Sequence, residues 1–229
     1  MTAIESICHG LVVSCQAWPE SPLHGTIYMV AMARAAANGG AAGLRVNSAE
    51  DIRGIRQYVS LPIIGILKSQ DAQGNRWITA TFDDAAAVAR AGAEIVALDA
   101  VREERPDGSR LADLIPRIRS ELGVYVMADI STFDEGVRAA RLGADIVATT
   151  LAHTPGQEAP NFELLAALVK AVAVPVVAEG LFWTPEQVVR AFALGAHAVV
   201  VGSAITRPDD ITRRFVRAID AHWKQARKA

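Results

Sequence analysis

The chain has 229 residues, a net charge of −2 at neutral pH and a pI near 6.2. Apolar residues make up 51% of the sequence and charged residues 21%, which is the composition of a globular protein with a large core. This balance excludes the basic footprint of a protein that binds nucleic acid or an anionic membrane, so an anionic ligand must be held by a local site.

The two cysteines, Cys8 and Cys15, are too few for a disulfide framework or a structural zinc site. The opening "MTAIESICHG" has an early acid and lacks the basic start and apolar core of a signal peptide. No apolar run approaches the roughly 20 residues that span a bilayer. We therefore expect a cytoplasmic protein without a membrane or nucleic acid partner.

Eight short apolar runs alternate with helical patterns along the chain. The runs are LVVSCQ (11–16), AGLRV (42–46), PIIGILK (62–68), EIVALD (94–99), VYVMAD (124–129), DIVATT (145–150), PVVAEG (175–180) and AVVVGS (198–203). The helices between them open with cap residues, such as Ser48 and Thr184. Apolar strands joined by helices predict a parallel sheet that is covered on both faces or closed into a barrel.

The runs are regularly spaced. Gly40, Gly92, Gly143 and Gly195 each precede a strand, at intervals of 52, 51 and 52 residues. Each interval holds two strand–helix units, so four intervals give eight. This regularity predicts a single-domain (β/α)₈ TIM barrel over residues 1–229. The alternative is an open doubly wound sheet, which would not require regular spacing, and the GxGxxG motif of such sheets is absent after the first run.

Two segments depart from the repeat. Residues 69–82, "SQDAQGNRWITATF", lengthen the step after the third run and place Gly74 and Asn75 at the expected tip. They predict a loop insertion over the mouth of the barrel or a small hairpin. The basic sequence "AHWKQARKA", within residues 220–229, predicts a helix end or a tail.

Polar residues, or glycine followed by serine, stand at the carboxyl ends of the runs. They are Gln16, Arg45, Lys68, Asp99, Asp129, Thr149, Thr150, Glu179, Gly202 and Ser203. In a barrel these ends form one mouth, where active sites are built. A single charge such as Asp99 could instead cap a helix, and Lys68 or Glu179 could belong to a surface ion pair. The gathering of so many polar groups at one mouth favours a site.

Glycine loops follow the seventh and eighth runs. Gly180 lies in "AEGLF", and Gly202 and Ser203 open "VGSAITRP". Backbone amides of such loops bind anions at a helix start, and barrels often bind a phosphate after strands seven and eight. We predict a phosphate site there, with Arg207 adding a charge-assisted contact.

Lys68 and Glu179 suggest the chemistry of the mouth. A lysine in a dry barrel mouth has a lowered pKa, which suits a general base for a carbon acid or a nucleophile that forms a Schiff base. A nearby carboxylate can move a proton to or from oxygen. With a sugar phosphate, proton abstraction beside the carbonyl and return on the other face is epimerisation, which needs no cofactor.

Other polar residues point to no site of their own. His24, His153 and His197 lack the spacing of metal ligands, so we expect no metal. The charged, turn-prone stretch "VREERPDGSR" (101–110) is expected to be a solvated loop, although its position after Asp99 leaves open a role over the substrate.

The motifs "VSCQA", "GLRVNSAEDI", "LPIIGILK", "MADIST", "GADIVATTL", "VPVVAEG" and "VVVGSAITRP" occur in this order over about residues 10–216. Together they resemble the bacterial N-acetylmannosamine-6-phosphate 2-epimerases of sialic acid catabolism. The resemblance implies conversion of N-acetylmannosamine 6-phosphate to N-acetylglucosamine 6-phosphate by inversion at C2. It also implies a catalytic lysine and glutamate, no cofactor, and a homodimer.

By this resemblance, Lys68 takes the C2 proton from the open-chain aldehyde, and Glu179 assists proton movement at the sugar oxygens. Gln16, Arg45 and Asp129 hold the acetamido and hydroxyl groups. The residues that match the phosphate loops are Gly180, Gly202, Ser203 and Arg207.

One stretch departs from the family. Similar proteins often have "GRIHTPEQ" where this chain has "GLFWTPEQ", so Leu181, Phe182 and Trp183 form a more apolar rim. This change bears on substrate preference, including N-glycolyl against N-acetyl sugars, and not on the reaction class. Two alternatives stay open: a Schiff-base lyase or aldolase that uses Lys68 on a phosphorylated sugar, and a non-catalytic sugar-phosphate sensor. One-base and two-base proton transfer are both compatible with the sequence.

Overall fold

Eight parallel strands close into a barrel in the computed structural model, which describes residues 1–226. With the two strands of a separate hairpin, β4 and β5, the strands of the described residues in chain order are β1 (Leu11–Cys15), β2 (Gly43–Asn47), β3 (Ile63–Ile66), β4 (Lys68–Gln70), β5 (Arg76–Ile78), β6 (Ile95–Asp99), β7 (Tyr125–Asp129), β8 (Ile146–Ala148), β9 (Val176–Glu179) and β10 (Ala198–Val201). The order around the barrel is β1-β10-β9-β8-β7-β6-β3-β2. The predicted TIM barrel is confirmed. The open sheet is excluded because β1 pairs with both β10 and β2.

The helices in chain order are α1 (Ala3–Ser6), α2 (Thr26–Asn38), α3 (Ala49–Arg56), α4 (Phe82–Arg90), α5 (Leu111–Leu122), α6 (Phe133–Arg141), α7 (Phe162–Ala171), α8 (Pro185–Ala193), α9 (Ser203–Thr206) and α10 (Pro208–Ala226). Helices α2 to α8 connect the strands, whereas α1 precedes β1 and packs against the interior cluster, and α9 and α10 follow β10. Ser48, Thr81, Thr132 and Thr184 each accept a hydrogen bond from a backbone N–H in the first turn of α3, α4, α6 and α8. These caps satisfy N–H groups that a helix start leaves without partners.

Side chains alternate between the two sides of each barrel strand. One set, which includes Ile64, Ile95, Met127 and Val177, packs together inside the barrel. The other set packs under the helices. Because the strands are buried on both faces, they give near-continuous apolar runs in the sequence.

β4 and β5 form an antiparallel hairpin that leaves the barrel after β3. The third apolar run was expected to continue as one strand to Lys68, but β3 ends at Ile66 and Lys68 begins the hairpin. The reason is the pairing of Leu67, whose carbonyl accepts from the Thr79 N–H at 2.8 Å. The segment 69–82 thus contains most of this hairpin and the start of α4.

The last helix, α10, differs from the others in its exposure. Every residue from 212 to 224 is exposed, including Phe215, Ile219 and Trp223. Residues 220–226 of the predicted helix end belong to α10, and residues 227–229 lie outside the described residues. Within the described part of the chain, no helix is both long and apolar enough to cross a membrane.

Candidate active site

A cavity of about 930 Å³ lies in the barrel mouth at the carboxyl ends of the strands. Its lining includes eight of the predicted site residues, which are Gln16, Arg45, Lys68, Glu179, Gly180, Gly202, Ser203 and Arg207. The ninth, Asp129, is completely buried and does not line the cavity.

Strand geometry explains why three charged residues meet at the floor of this cavity. Arg45 on β2, Asp129 on β7 and Glu179 on β9 each follow a residue that packs under the helices, so alternation turns each into the barrel. Nη1 of Arg45 donates to Asp129 Oδ1 at 3.1 Å and to Glu179 Oε2 at 2.9 Å. Nη2 donates to Asp129 Oδ2 at 2.5 Å. Arg45 therefore binds Asp129 through both terminal nitrogens and Glu179 through one.

The electrostatics of this cluster differ from residue to residue. Burial disfavours the charge of Arg45, but Asp129 and Glu179 beside it keep its pKa above the ordinary value. Burial raises the pKa of Glu179 to about 7, and Arg45 offsets this only in part. Glu179 can therefore hold or release a proton near neutral pH.

Two threonines after β8 complete the cluster. Oγ1 of Thr150 lies 2.6 Å from Asp129 Oδ1 and 3.3 Å from Glu179 Oε2. Oγ1 of Thr149 accepts from the Glu179 N–H at 3.1 Å and donates to its carbonyl at 3.0 Å. Thr149 thus fixes the backbone of Glu179, and Thr150 binds the carboxyl groups. Neither was predicted as a site residue, and their position at the end of the sixth run was the available signal.

Lys68 enters the cavity from the side opposite Glu179, because β3 and β9 are four places apart in the eight-strand order. Its Nζ lies 4.4 Å from the ring centre of Trp18, and its backbone N–H donates to Asn47 Oδ1 at 2.9 Å. Solvent reaches the side chain, yet lost hydration within the mouth and the charge of Arg45 lower the pKa of Lys68 to about 8. None of the ion pairs among the described residues involves Lys68.

The predicted phosphate residues lie together on the β9–β10 side. Gly180 has a φ of +104°, a conformation that disfavours any side chain. Gly202 and Ser203 stand at the start of the four-residue helix α9. Nη1 of Arg207 lies 2.9 Å from Asp210 Oδ2, so a bound phosphate would share the guanidinium with this carboxylate.

Gln16 follows β1 at the edge of the cavity. Its Nε2 donates to Ser14 Oγ at 2.7 Å. Its Oε1 is buried and has no hydrogen-bond partner among the described residues. A buried acceptor without a partner fits a ligand that supplies an N–H donor.

The predicted apolar rim is present at the cavity, since Leu181, Phe182 and Trp183 all line it. The Phe182 ring meets Phe162 edge-on, with ring centres 6.2 Å apart. The Arg214 guanidinium lies 4.8 Å from the ring centre of Trp183. The β9 side of the mouth is therefore lined by packed aromatic groups.

Two of the three histidines His24, His153 and His197 lie at the cavity. His24 and His153 line the cavity, whereas Nε2 of His197 lies 2.9 Å from the carbonyl of Ile4. Over residues 1–226, no group of three or more His, Cys, Asp and Glu side chains is placed to hold a metal ion.

The prediction of a solvated loop over 101–110 is wrong for Arg105, which is 3% exposed. Nη1 of Arg105 lies 3.1 Å from Asp99 Oδ1. The other oxygen of Asp99 accepts a hydrogen bond from the Ile78 N–H. Asp99 therefore binds protein groups with both carboxylate oxygens.

Comparison with known proteins identifies close relatives. A family model described as "Putative N-acetylmannosamine-6-phosphate epimerase" matches residues 29–221. Proteins from Caldanaerobacter subterraneus subsp. tengcongensis and Enterobacter sp. are both named "Putative N-acetylmannosamine-6-phosphate 2-epimerase" and are 45% and 47% identical to the chain. Each alignment covers 96% of this chain, and they cover 94% and 97% of the respective relatives.

Solved structures agree with these matches. The N-acetylmannosamine-6-phosphate 2-epimerase from Clostridium perfringens superposes with a TM-score of 0.91 at 41% identity, over 95% of this chain and 96% of that one. A thiamine phosphate pyrophosphorylase from Pyrococcus furiosus covers 92% of both chains with a TM-score of 0.63 at 18% identity, which shows a shared fold alone.

Proposed function

The chain belongs to the N-acetylmannosamine-6-phosphate epimerase family, and from this premise we propose that it converts N-acetylmannosamine 6-phosphate to N-acetylglucosamine 6-phosphate by moving the proton at C2. The observation that supports this function is a lysine of lowered pKa and a buried carboxyl of raised pKa in one cavity. Environments that lower the pKa of one titratable group and raise the pKa of its neighbour are typical of a base and its acid partner.

Lys68 is the base in this proposal. The C2–H bond of the open-chain sugar lies next to the C1 carbonyl, so removal of the proton leaves an enolate. Lysine accepts a proton only in its neutral form, and a pKa of about 8 leaves a useful neutral fraction at neutral pH. Return of a proton to the other face of C2 inverts the configuration.

Arg45 and Glu179 act on the oxygen in this proposal. Enolate formation puts negative charge on the C1 oxygen, and the fixed guanidinium of Arg45 stabilises that charge as it develops. Glu179 in its protonated form donates to the same oxygen and later recovers the proton. Asp129 lies beneath the cavity, so we assign it to holding Arg45 in place, although contact with the sugar was expected.

The remaining residues bind the two ends of the substrate. The phosphate binds at Gly180, Gly202 and Ser203 with a charge-assisted contact from Arg207. The acetamido N–H donates to the buried Oε1 of Gln16, which otherwise lacks a partner among the described residues.

Proton NMR in D₂O tests the reaction. Incubation of the protein with N-acetylmannosamine 6-phosphate should give N-acetylglucosamine 6-phosphate with deuterium at C2, and Lys68→Ala should give neither product nor exchange. A substrate labelled at C2, followed in H₂O, separates the two modes of transfer, since label retained in the product requires a single base. Absence of both product and exchange with the intact protein would refute the epimerase function.

Borohydride trapping separates epimerisation from the lyase and aldolase alternative. A Schiff base between Lys68 and the carbonyl would be reduced onto the protein and would add the mass of the sugar phosphate. We expect no added mass at Lys68. A sensor would instead bind the sugar phosphate without turnover, which the NMR experiment detects directly.

We also propose a homodimer, supported by the surface of α10. Phe215, Ile219 and Trp223 are spaced four residues apart and so share one helix face. They are 68%, 56% and 58% exposed. Apolar stripes of this kind mark interfaces. Light scattering should give a dimer mass, and Phe215→Glu with Ile219→Glu should give a monomer.

Cytoplasmic location and a role in sialic acid and amino sugar catabolism follow from the proposed substrate. A phosphorylated sugar cannot readily cross a bilayer because its charge is costly there. The enzyme must therefore work in the compartment where the phosphate is added. Fractionation of the source cells, with activity assayed in each fraction, tests the location.

A further inference from the structure

Lys68 does not stand on a barrel strand. It opens the β4–β5 hairpin, which leaves the barrel after Leu67 and returns at Thr79. All three residues of β4 are exposed. An isolated two-stranded hairpin is marginally stable in water. The position of Lys68 therefore depends on contacts that fix the base of the hairpin to the barrel.

Asp99, at the end of β6, makes one such contact. Its Oδ2 accepts a hydrogen bond from the Ile78 N–H at 3.0 Å. Ile78 is the residue that pairs with Lys68 across the hairpin. Because Asp99 is 5% exposed, this hydrogen bond is shielded from water.

Arg105 extends the contact to the residues that follow β5. Its Nη1 donates to the carbonyl of Asp99 at 2.8 Å as well as to the carboxylate. Its Nε donates to Ala80 O at 2.8 Å, and its Nη2 donates to Thr79 O at 2.9 Å. The guanidinium also lies 4.8 Å from the ring centre of Trp77 on β5. One planar group thus joins the end of β6 to the returning chain.

The opposite ends of the same two strands have a comparable pair. Glu94 precedes β6 and accepts from the Ile63 N–H at the start of β3, at 2.9 Å. Arg56 pairs with Glu94 and donates to Gly92 O at 2.8 Å and Leu61 O at 2.6 Å. This pair lies at the end of the barrel away from the cavity, so it provides a matched control.

We propose that Asp99 and Arg105, here called the anchor pair, are positioning residues of the reaction, because they fix the base of the hairpin and so set where the Lys68 amine meets C2. The inference rests on the proposed role of Lys68 as the base. Asp99 lines the cavity, but both of its carboxylate oxygens are bound by protein groups, so we assign the anchor pair no contact with the reacting atoms. Its loss should slow proton transfer but leave phosphate binding intact, since the phosphate loops follow β9 and β10, across the barrel from β3 and β6.

The test compares Arg105→Lys and Asp99→Asn with Arg56→Lys, using N-acetylmannosamine 6-phosphate. Lysine keeps the charge of Arg105 but cannot reproduce its planar fork of donors. We expect kcat per folded protein to fall about 10- to 100-fold in both anchor variants, because a misplacement of about 1 Å has that effect. We expect KM to change less than about twofold, since the contacts that bind the substrate and the transition state equally well are kept.

The pH profile separates positioning from a general loss of structure. A loosened hairpin brings the Lys68 amine further into water and raises its pKa, so the fall of kcat/KM, which begins at about pH 8 in the wild type, should move to higher pH. Arg56→Lys should lower the melting temperature but leave kcat, KM and this pH unchanged.

The inference is wrong if the anchor variants lower kcat no more than Arg56→Lys does, or if their pH profiles stay at the wild-type position. Failure of both anchor variants to fold, judged by circular dichroism, would also overturn it, since the pair would then be purely structural. The proposed function fails separately, namely when the wild-type protein shows no turnover or when Lys68→Ala keeps full activity.

Discussion

Glu179 keeps a raised pKa although its Oε2 lies 2.9 Å from Nη1 of Arg45. An arginine this close normally lowers the pKa of a carboxyl group. Burial of Glu179 opposes that effect, and so does Asp129, whose negative charge lies on the same guanidinium. Sharing Arg45 between two acids thus leaves one of them able to carry a proton near neutral pH.

The pH dependence of kcat/KM should be a narrow bell with its maximum between the two pKa values. Lys68 works as a neutral base with a pKa of about 8, and Glu179 works as a protonated acid with a pKa of about 7, so the base of the productive form has the higher pKa. Activity should therefore rise up to about pH 7, where loss of protonated Glu179 begins to offset the gain of neutral Lys68, and fall above about pH 8, where Lys68 is already neutral. Initial rates across the pH range, followed by NMR of the product, measure both limbs.

Glu179→Gln tests whether Glu179 causes the fall of activity at high pH. Glutamine cannot donate the proton, so we expect activity to drop about 10²- to 10⁴-fold and the remaining activity to rise through about 8 without a later fall. A wild-type profile that rises to a plateau would contradict this assignment and would indicate that Glu179 acts in its ionised form.

Asp129→Asn should move the lower edge of the pH profile, where the rise levels off, to lower pH and should reduce the maximum of kcat/KM. The substitution removes a negative charge from Arg45 and from the surroundings of Glu179, so the pKa of Glu179 should decrease. Loss of one partner of a buried ion pair should also lower the free energy of unfolding, by up to about 3–5 kcal/mol. The pH profile and urea unfolding measure the two effects.

Asp145→Asn is the matched control for that substitution. Asp145 also binds an arginine, with Oδ1 3.0 Å from Nη2 of Arg119, and accepts from the Val126 N–H at 2.9 Å. It precedes β8, at the end of the barrel away from the cavity. We expect it to lower stability without moving the pH profile, and an equal shift in both variants would show that the effect is not local to Glu179.

The strands of the barrel were predictable because they are buried on both faces, which gives continuous apolar runs. Regular spacing then distinguished a closed barrel from an open sheet. The period of two along each strand also explains why Arg45 and Glu179 point into the mouth. These are local properties, so the amino-acid sequence displays them directly.

Other features depend on distant contacts that local sequence patterns do not display. Arg105 lies in a charged, turn-rich stretch, and its burial depends on the carbonyls of Ala80 and Thr79, 25 and 26 residues away. Asp129 ends a strand as Glu179 does, but it lies too deep to line the cavity. The boundary between β3 and β4 depends on the pairing of Leu67 with Thr79, which a continuous apolar run conceals.

Arg207→Gln should raise KM for the sugar phosphate about 10- to 100-fold, the effect of losing one charge-assisted hydrogen bond. We expect kcat to change little, because this contact is made equally in the ground and transition states. The same variant should treat unphosphorylated N-acetylmannosamine as the wild type does. Steady-state kinetics with the two sugars measure the difference.

Arg213→Gln provides the control for Arg207. Both arginines pair with Asp209 and Asp210, but only Arg207 lines the cavity. Removal of Arg213 should leave KM unchanged. A similar rise in KM for both variants would mean that the start of α10, and not a direct phosphate contact, is responsible.

Gly180→Ala should impair both stability and catalysis. The φ of +104° at this position is unfavourable for alanine, which should cost about 1–3 kcal/mol of the free energy of unfolding. An added Cβ would meet the Thr150 carbonyl at 3.5 Å, an ordinary contact, so the strain arises from the backbone. Because Glu179 is the preceding residue, relief of this strain would displace its carboxyl group, and kcat/KM should fall about tenfold or more.

Gly40→Ala separates the effect of a strained backbone on stability from its effect on catalysis. Gly40 has a φ of +89°, and a Cβ there would meet no atom within 4 Å. It precedes β2, far from the mouth, so its replacement should destabilise the barrel to a similar extent without changing kcat/KM. Urea unfolding and steady-state kinetics on both variants supply the comparison. Equal losses of kcat/KM would show that catalysis follows global stability, whereas a loss confined to Gly180→Ala places the backbone of that residue in control of Glu179.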